Sequence, residues 1–275
     1  MKAVSRSFRL TIALTVAAAA ATAAFVPARA ENIPAVADGA ASKRECGAPG
    51  ELIRLTNPLK RLALRIAGGQ PIKIVAIGSS STAGSGASSP AMSYPSRLAI
   101  ELKALFPRIE VTVLNRGIGG ETTTEMLARF DRDVFADKPD VVVWQVGSNS
   151  VLRDISLADA RARLYEGLRR LRAADLDVIL MNPQYAPKVI SKHEAEGMVD
   201  LIDLAAKETN VDLFQRYAIM RYWKLTEDIP FSTFVSPDEL HMNDWSYGCV
   251  AKLLAGAIHE AASRSTVTAT ARNPQ

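Results

Sequence analysis

The 275-residue sequence predicts an α/β protein, a three-layer α/β/α sandwich around a mainly parallel five-stranded sheet. Three observations carry that prediction. From Lys73 onward, short β-branched runs alternate with longer stretches of helical period. Most of the runs are continuously apolar, as strands covered on both faces are. Each of the first four also leads into a polar or glycine-rich loop, as the carboxyl edge of an open parallel sheet requires.

Taken in order, residues 1–30 read as a secretory signal: Lys2, Arg6 and Arg9 precede an Ala-rich apolar stretch from Leu10 to Val26, and Ala28-Arg29-Ala30 offers a small-x-small cleavage site. A retained membrane anchor is the alternative, though the stretch is short and mostly Ala. The mature chain then begins near Glu31 and is exported, to the periplasm or beyond. Residues 31–70 form an N-terminal extension, unpatterned to Gly50, with one amphipathic helix carrying Leu59, Leu62, Leu64 and Ile66 and closed by Gly68-Gly69.

A single domain over residues 71–263 holds the strands Ile74 to Ile77, Val111 to Leu114, Val141 to Val146, Val178 to Met181 and a weak Val211 to Leu213. Thr122 with Glu125 and Ser156 with Asp159 read as capping boxes, and Pro95 after Ser93 as a first helical position. Behind these caps, Met126, Phe130 and Val134, or Leu164, Leu168 and Leu171, recur at core-facing spacing. Residues 264–275, rich in Ser, Thr, Ala and Arg, read as a disordered tail.

The signal carries four of the 33 basic residues (Lys2, Arg6, Arg9, Arg29) and no acidic one, so 29 basic face 29 acidic residues after its removal. The sequence pI of about 9.1 is therefore a property of the leader. The mature surface has no net charge to hold nucleic acid or anionic lipid, and a nucleic-acid partner is set aside. No membrane span remains once the signal is cleaved. Two cysteines, Cys46 and Cys249, pair in an oxidising compartment; the alternative is that Cys249 merely fills space in an Ala-rich helix.

The chemistry collects on the strand ends. Strand one leads to Gly78-Ser79-Ser80-Ser81-Thr82-Ala83-Gly84, strand two to Asn115-Arg116-Gly117-Ile118-Gly119-Gly120, strand three to Gly147-Ser148-Asn149-Ser150, and strand four to Asn182-Pro183-Gln184-Tyr185. Near the end stands Asp238-Glu239-Leu240-His241. A carboxylate three residues before a histidine can hold the imidazole in the tautomer that takes a proton from serine. Neither His193 nor His259 has such an acid. Gly120, just before a capped helix, can bring its backbone N–H close to an anion, and Asn149 can offer its side-chain amide.

These blocks, in this order, resemble the SGNH, or GDSL-like, hydrolase family over about Lys73 to Ala262. The resemblance implies a flavodoxin-like SGNH hydrolase fold and an exported serine esterase acting through an acyl-enzyme. It makes Ser80 the nucleophile, His241 the base, Asp238 its orienting acid, and Ser80, Gly120 and Asn149 the oxyanion donors. No metal or organic cofactor is implied. Two positions depart from the family pattern: Ser79 stands where aspartate is usual, and Ser150 where an aspartate often follows the asparagine. With three adjacent serines, Ser79 and Ser81 remain register alternatives.

Rival chemistries fit worse. The loops lack Gly-x-Gly-x-x-Gly spacing and a Gly-Lys-Ser/Thr cradle, no close histidine pair could hold zinc, and the Gly-x-Ser-x-Gly elbow is absent. With no long insertion to form a lid, a short acyl group on a small-molecule or carbohydrate alcohol is expected. Tyr94 and Tyr185 are candidate sugar-stacking rings, near Tyr217, Tyr222, Trp223, Phe231 and Phe234, with core packing as the competing reading. A lysophospholipase or thioesterase, a sugar acyltransferase and a non-catalytic carbohydrate-binding relative are the alternatives.

Overall fold

The computed structural model describes residues 46–271, with side chains in the last helix as far as Arg264. The signal reading of residues 1–30, the extension up to residue 45 and the end of the tail, 272–275, lie outside the described residues. Five strands, β1 (Ile72–Gly78), β2 (Val111–Gly117), β3 (Val141–Gln145), β4 (Asp177–Met181) and β5 (Asp212–Phe214), form one sheet in the order β2-β1-β3-β4-β5. Every pair is parallel, with Gly78 opposite Gly117 and Gln145 opposite Met181 at the carboxyl ends. Because β1 has β2 on one side and β3 on the other, the chain reverses its direction of travel there. In open parallel sheets such a switch point is where ligands bind, beyond the carboxyl ends of the strands.

The helices are α1 (Gly50–Ile53), α2 (Lys60–Ala67), α3 (Ser80–Ala83), α4 (Tyr94–Leu105), α5 (Thr123–Ala128), α6 (Ser148–Leu152), α7 (Leu157–Ala173), α8 (Pro187–Ile190), α9 (Ala195–Thr209), α10 (Arg216–Leu225), α11 (Phe231–Phe234) and α12 (Asp244–Ala271). Strand residues alternate between the sheet's two faces. Ile74, Ala76, Val141, Val143, Ile179 and Met181 join one core with Leu98 of α4, Trp223 of α10 and Leu254 of α12. Val75, Ile77, Val142, Trp144, Val178 and Leu180 join the other with Met126 of α5, Leu168 of α7 and Ile202 of α9. This is a three-layer α/β/α sandwich.

Several elements differ from the sequence reading. β2 lies on the sheet edge and is only half-buried, and it runs on to Gly117, so Asn115 and Arg116 belong to strand, not loop. Pro95 is the second residue of α4, behind Tyr94. In α2, Leu62 is buried but Leu64 is 75% exposed, since two residues along a helix turn about 200° away from the core. The last helix does not stop at Ala262; it continues to Ala271. Arg264 supports that extension, pairing with Glu260 at 2.9 Å and donating to the carbonyls of Leu55 and Thr56.

At the amino edge of the sheet, three aspartates bind the segment that precedes β1 and the start of β1 itself. Asp177 accepts from the Leu62 N–H (2.9 Å), capping α2, and Asp212 accepts from the Asn57 N–H (2.8 Å). Asp140 accepts from the Lys73 N–H (3.0 Å) and from Arg65 Nε (2.8 Å). Burial pushes the Asp177 and Asp212 carboxyls above their ordinary range, against the pull of these hydrogen bonds. A disulfide joins Cys46 to Cys249 of α12, with Cα atoms 5.0 Å apart. Beside it, Trp223 Nε1 donates to the Gly47 carbonyl at 2.7 Å. Among the described residues no helix is long and apolar enough to cross a membrane.

Candidate active site

The structure places Ser80 at the first position of α3, immediately after β1 and the extended Ser79. Ser80 Oγ lies 2.8 Å from His241 Nε2, and His241 Nδ1 lies 2.5 Å from Asp238 Oδ2. A tight turn with Glu239 at φ 59° brings Asp238 under the ring. The other Asp238 oxygen accepts from the N–H groups of His241 (2.9 Å) and Leu240 (3.0 Å) and from Ser236 Oγ (2.9 Å). Partial burial pushes this carboxyl up, but the bonds from His241, Leu240 and Ser236 outweigh it and hold the group far below the usual carboxylate range.

The neighbouring serines turn elsewhere. Ser79 Oγ donates to Gln145 Oε1 (3.0 Å) and Ser81 Oγ to Gln184 Oε1 (3.3 Å), and both serines are buried. The geometry therefore singles out Ser80 among the three. Ser79 also donates its N–H to Gln145 Oε1 (2.9 Å), and Thr82 Oγ1 adds a third bond at 3.2 Å. Gln145 thus fixes the turn from below. Gly78 has to be glycine for the turn to fold back, because a Cβ there would sit 2.1 Å from Thr82 Oγ1.

Gly120 and Asn149 come from the segments after β2 and β3. Asn149 lies within α6, not in a loop. Its Nδ2 donates to the Glu121 carbonyl at 2.8 Å, and an amide with two N–H groups keeps one for a ligand. Gly120 has φ 79°, and its carbonyl accepts from Arg153 Nη2 at 2.6 Å. Arg129, 6% exposed, joins the pieces: it pairs with Glu121 (2.7 Å) and Asp133 (2.9 Å) and donates to the carbonyls of Arg116 (2.8 Å) and Gly78 (3.1 Å). The strand end before Ser80 and the loop of Gly120 are held by one guanidinium.

Of the two proposed sugar-stacking rings, Tyr94 is corrected by the structure. It is fully buried at the start of α4, its hydroxyl 3.4 Å from Thr82 Oγ1, and burial pushes its phenol up to about 12. It supports the serine turn from inside. Tyr185 is half-buried, edge-on to Tyr217 (5.1 Å) and stacked near Phe231 (5.9 Å). Tyr217, Trp223 and Phe234 belong to the core, in line with the packing reading. His193 is 97% exposed and His259 packs on Phe106, so neither joins the site. Among the described residues no group of three or more His, Cys, Asp or Glu is placed to hold a metal ion.

Gln145, Arg129 and Arg153 escaped the sequence reading, and Gln184 entered it only as part of the polar loop after strand four. Gln145 also carried a signal, as the one polar residue at the end of Val141-Val142-Val143-Trp144.

The chain is 35% identical over 94 residues to an acetylxylan esterase of Geobacillus stearothermophilus, an alignment spanning 30% of this chain and 43% of that protein. The chain thus matches less than half the length of this curated relative. Among solved structures, a two-domain esterase active on acetylated mannans, crystallised with mannopentaose, superposes with a TM-score of 0.64 at 22% identity, over 78% of this chain and 57% of that one. The acetylxylan esterase from Geobacillus stearothermophilus gives 0.58 at 23% identity, over 68% and 94%. At these identities the two structures establish a shared fold. The model of the Non-GDSL lipase-like family matches residues 45–264, and the chain belongs to that family.

Proposed function

We propose that the protein is an exported serine esterase with an SGNH arrangement, which removes acetyl or similarly short acyl groups from carbohydrate. The observation that carries this reading is the unbroken relay from Asp238 through His241 to Ser80, at 2.5 and 2.8 Å. Ser80 Oγ attacks the ester carbonyl as its proton passes to His241 Nε2, and Asp238 holds the imidazole and stabilises the imidazolium. The N–H groups of Ser80 and Gly120 and the Asn149 amide take the oxyanion. His241 returns the proton to the departing alcohol, leaving an acyl-Ser80. Water, deprotonated by the same histidine, then releases the carboxylic acid and restores the serine.

The carbohydrate part of the reading is supported by relatives whose names specify acetylated xylan and acetylated mannan. Export is supported by the leader pattern and by the Cys46–Cys249 disulfide, a bond that persists in oxidising compartments. The test is a fluorophosphonate probe on the folded protein, with the modified peptide mapped and acetate release from acetylated xylo- and manno-oligosaccharides measured alongside p-nitrophenyl esters of increasing chain length. Labelling at Ser80 that disappears in His241→Ala, with a preference for acetyl esters, is the expected result. A folded protein that is not labelled overturns the reading.

A further inference from the structure

Gln184, just beyond β4 and 1% exposed, is hydrogen-bonded at once to α3, α6, α10 and the loop of His241. Its Oε1 accepts from Ser81 Oγ (3.3 Å), Ser148 Oγ (2.8 Å) and Arg216 Nη2 (3.0 Å), and its Nε2 donates to the Leu240 carbonyl (3.1 Å). Ser81, Ser148 and Leu240 are the chain neighbours of Ser80, Asn149 and His241. A single buried amide therefore touches the residue beside the nucleophile, the residue beside an oxyanion donor and the residue beside the base.

Arg216 explains how that amide is oriented. It is fully buried, its Nε donates to the Asn182 carbonyl (3.0 Å), and no carboxylate pairs with it among the described residues. Its Nη1 has no hydrogen-bond partner there. Burial draws its guanidinium down to about 10, opposed by the phenols of Tyr94 and Tyr247 nearby. A buried cation without an anion is costly to keep, so its place calls for a reason. A guanidinium only donates, so Gln184 has to turn Oε1 toward it and Nε2 toward Leu240.

We propose that Gln184, oriented by Arg216, is a positioning residue that holds Ser80, Asn149 and His241 in mutual register. The inference rests on the esterase reading above. Displacing reacting groups by about 1 Å typically costs ~100-fold in rate, and Gln184 is the point through which three such displacements are restrained together.

The experiment compares the full-length wild type with Gln184→Met, Gln184→Glu, Arg216→Met and the double Gln184→Met/Arg216→Met. It reads kcat and KM on p-nitrophenyl acetate, the rate of fluorophosphonate labelling and the melting temperature. Gln184→Met should lower kcat and the labelling rate about 100-fold with KM within about threefold. Arg216→Met should act in the same direction, and the double variant should be little worse than the more damaging single, as residues in one network behave. Gln184→Glu keeps an acceptor for Arg216 but sets a carboxylate oxygen against the Leu240 carbonyl; a drop of at least about tenfold in kcat is expected, and it decides the matter if the Met variants do not fold. Variants that melt lower yet keep wild-type kcat and labelling would mean a structural role only, and overturn the proposal. A folded wild type that resists labelling instead brings down the esterase reading itself.

Discussion

Gly86 backs directly onto His241: a Cβ added to Gly86 would stand 2.9 Å from the His241 Cβ and 2.4 Å from the Met242 carbonyl oxygen, with Gly86 at φ 87°. The loop that follows Ser80, the proposed nucleophile, thus meets the loop of His241, the proposed base, through bare backbone. Gly86→Ala should cost at least about 1–3 kcal/mol from the left-handed backbone alone, and the collision should push His241 off Ser80. Urea unfolding and kcat measured together should both fall, kcat by about tenfold or more. A variant that is less stable but fully active would show that the base loop yields without moving its ring.

Asp238 is held ionised by four hydrogen bonds, from His241 Nδ1, the His241 and Leu240 N–H groups and Ser236 Oγ. Asp238→Asn keeps the shape but lets the ring adopt the wrong tautomer, and should lower kcat by about 10³–10⁴-fold at neutral pH. Because its pKa is lowered on folding, its stabilising contribution is present above the unfolded value of about 3.9 and fades as pH falls through the folded value. The gap in melting temperature between wild type and Asp238→Asn should therefore narrow on acidification below about pH 4.

The opposite sign applies at the far edge of the sheet. Burial raises the Asp177 and Asp212 carboxyls, so their contribution is fully present below about pH 3.9 and declines as pH rises through their raised values. Asparagine at either site keeps an acceptor oxygen for Leu62 or Asn57 without the charge. In urea titrations from pH 4 upward, wild type should lose stability relative to Asp177→Asn. A difference independent of pH would show that the carboxyl titrates at its ordinary value.

The disulfide closes a span of 203 residues, for which loop-closure entropy alone gives about 5 kcal/mol as an upper value. Cys46→Ser or reduction should lower the melting temperature by many degrees. The denatured, unreduced protein should contain no free thiol. Two free thiols would remove the bond and with it one support for export.

The strands and the four blocks were legible because both leave local marks: β-branched runs for the sheet, serine, glycine and asparagine just after those runs, and the Asp-x-x-His turn beyond the last of them. The residues that hold the blocks together leave no mark of their partners. Gln145 reaches back 66 residues to Ser79 and Gln184 reaches 103 to Ser81, so neither contact has a spacing to read. Tyr94 was a candidate stacking ring because it lies near the strand-end edge, with packing as the competing reading, and the close fit of α4 against the serine turn buries it. The extension of α12 escaped notice because a polar Ser/Thr composition argues for a loop, while Arg264 is tied to a carbonyl 209 residues earlier.

Ser80 and His241 are separated by 161 residues, and the completed fold brings them together. A growing chain exposes its serine early, when most of the sheet and the whole base loop have still to be synthesised. At that stage the hydroxyl is an ordinary alcohol, harmless to the esters around it. On the proposed mechanism, reactivity arrives only when the loop of His241 joins the sheet, so the order of the sequence itself delays the appearance of a working nucleophile until all five strands have been made.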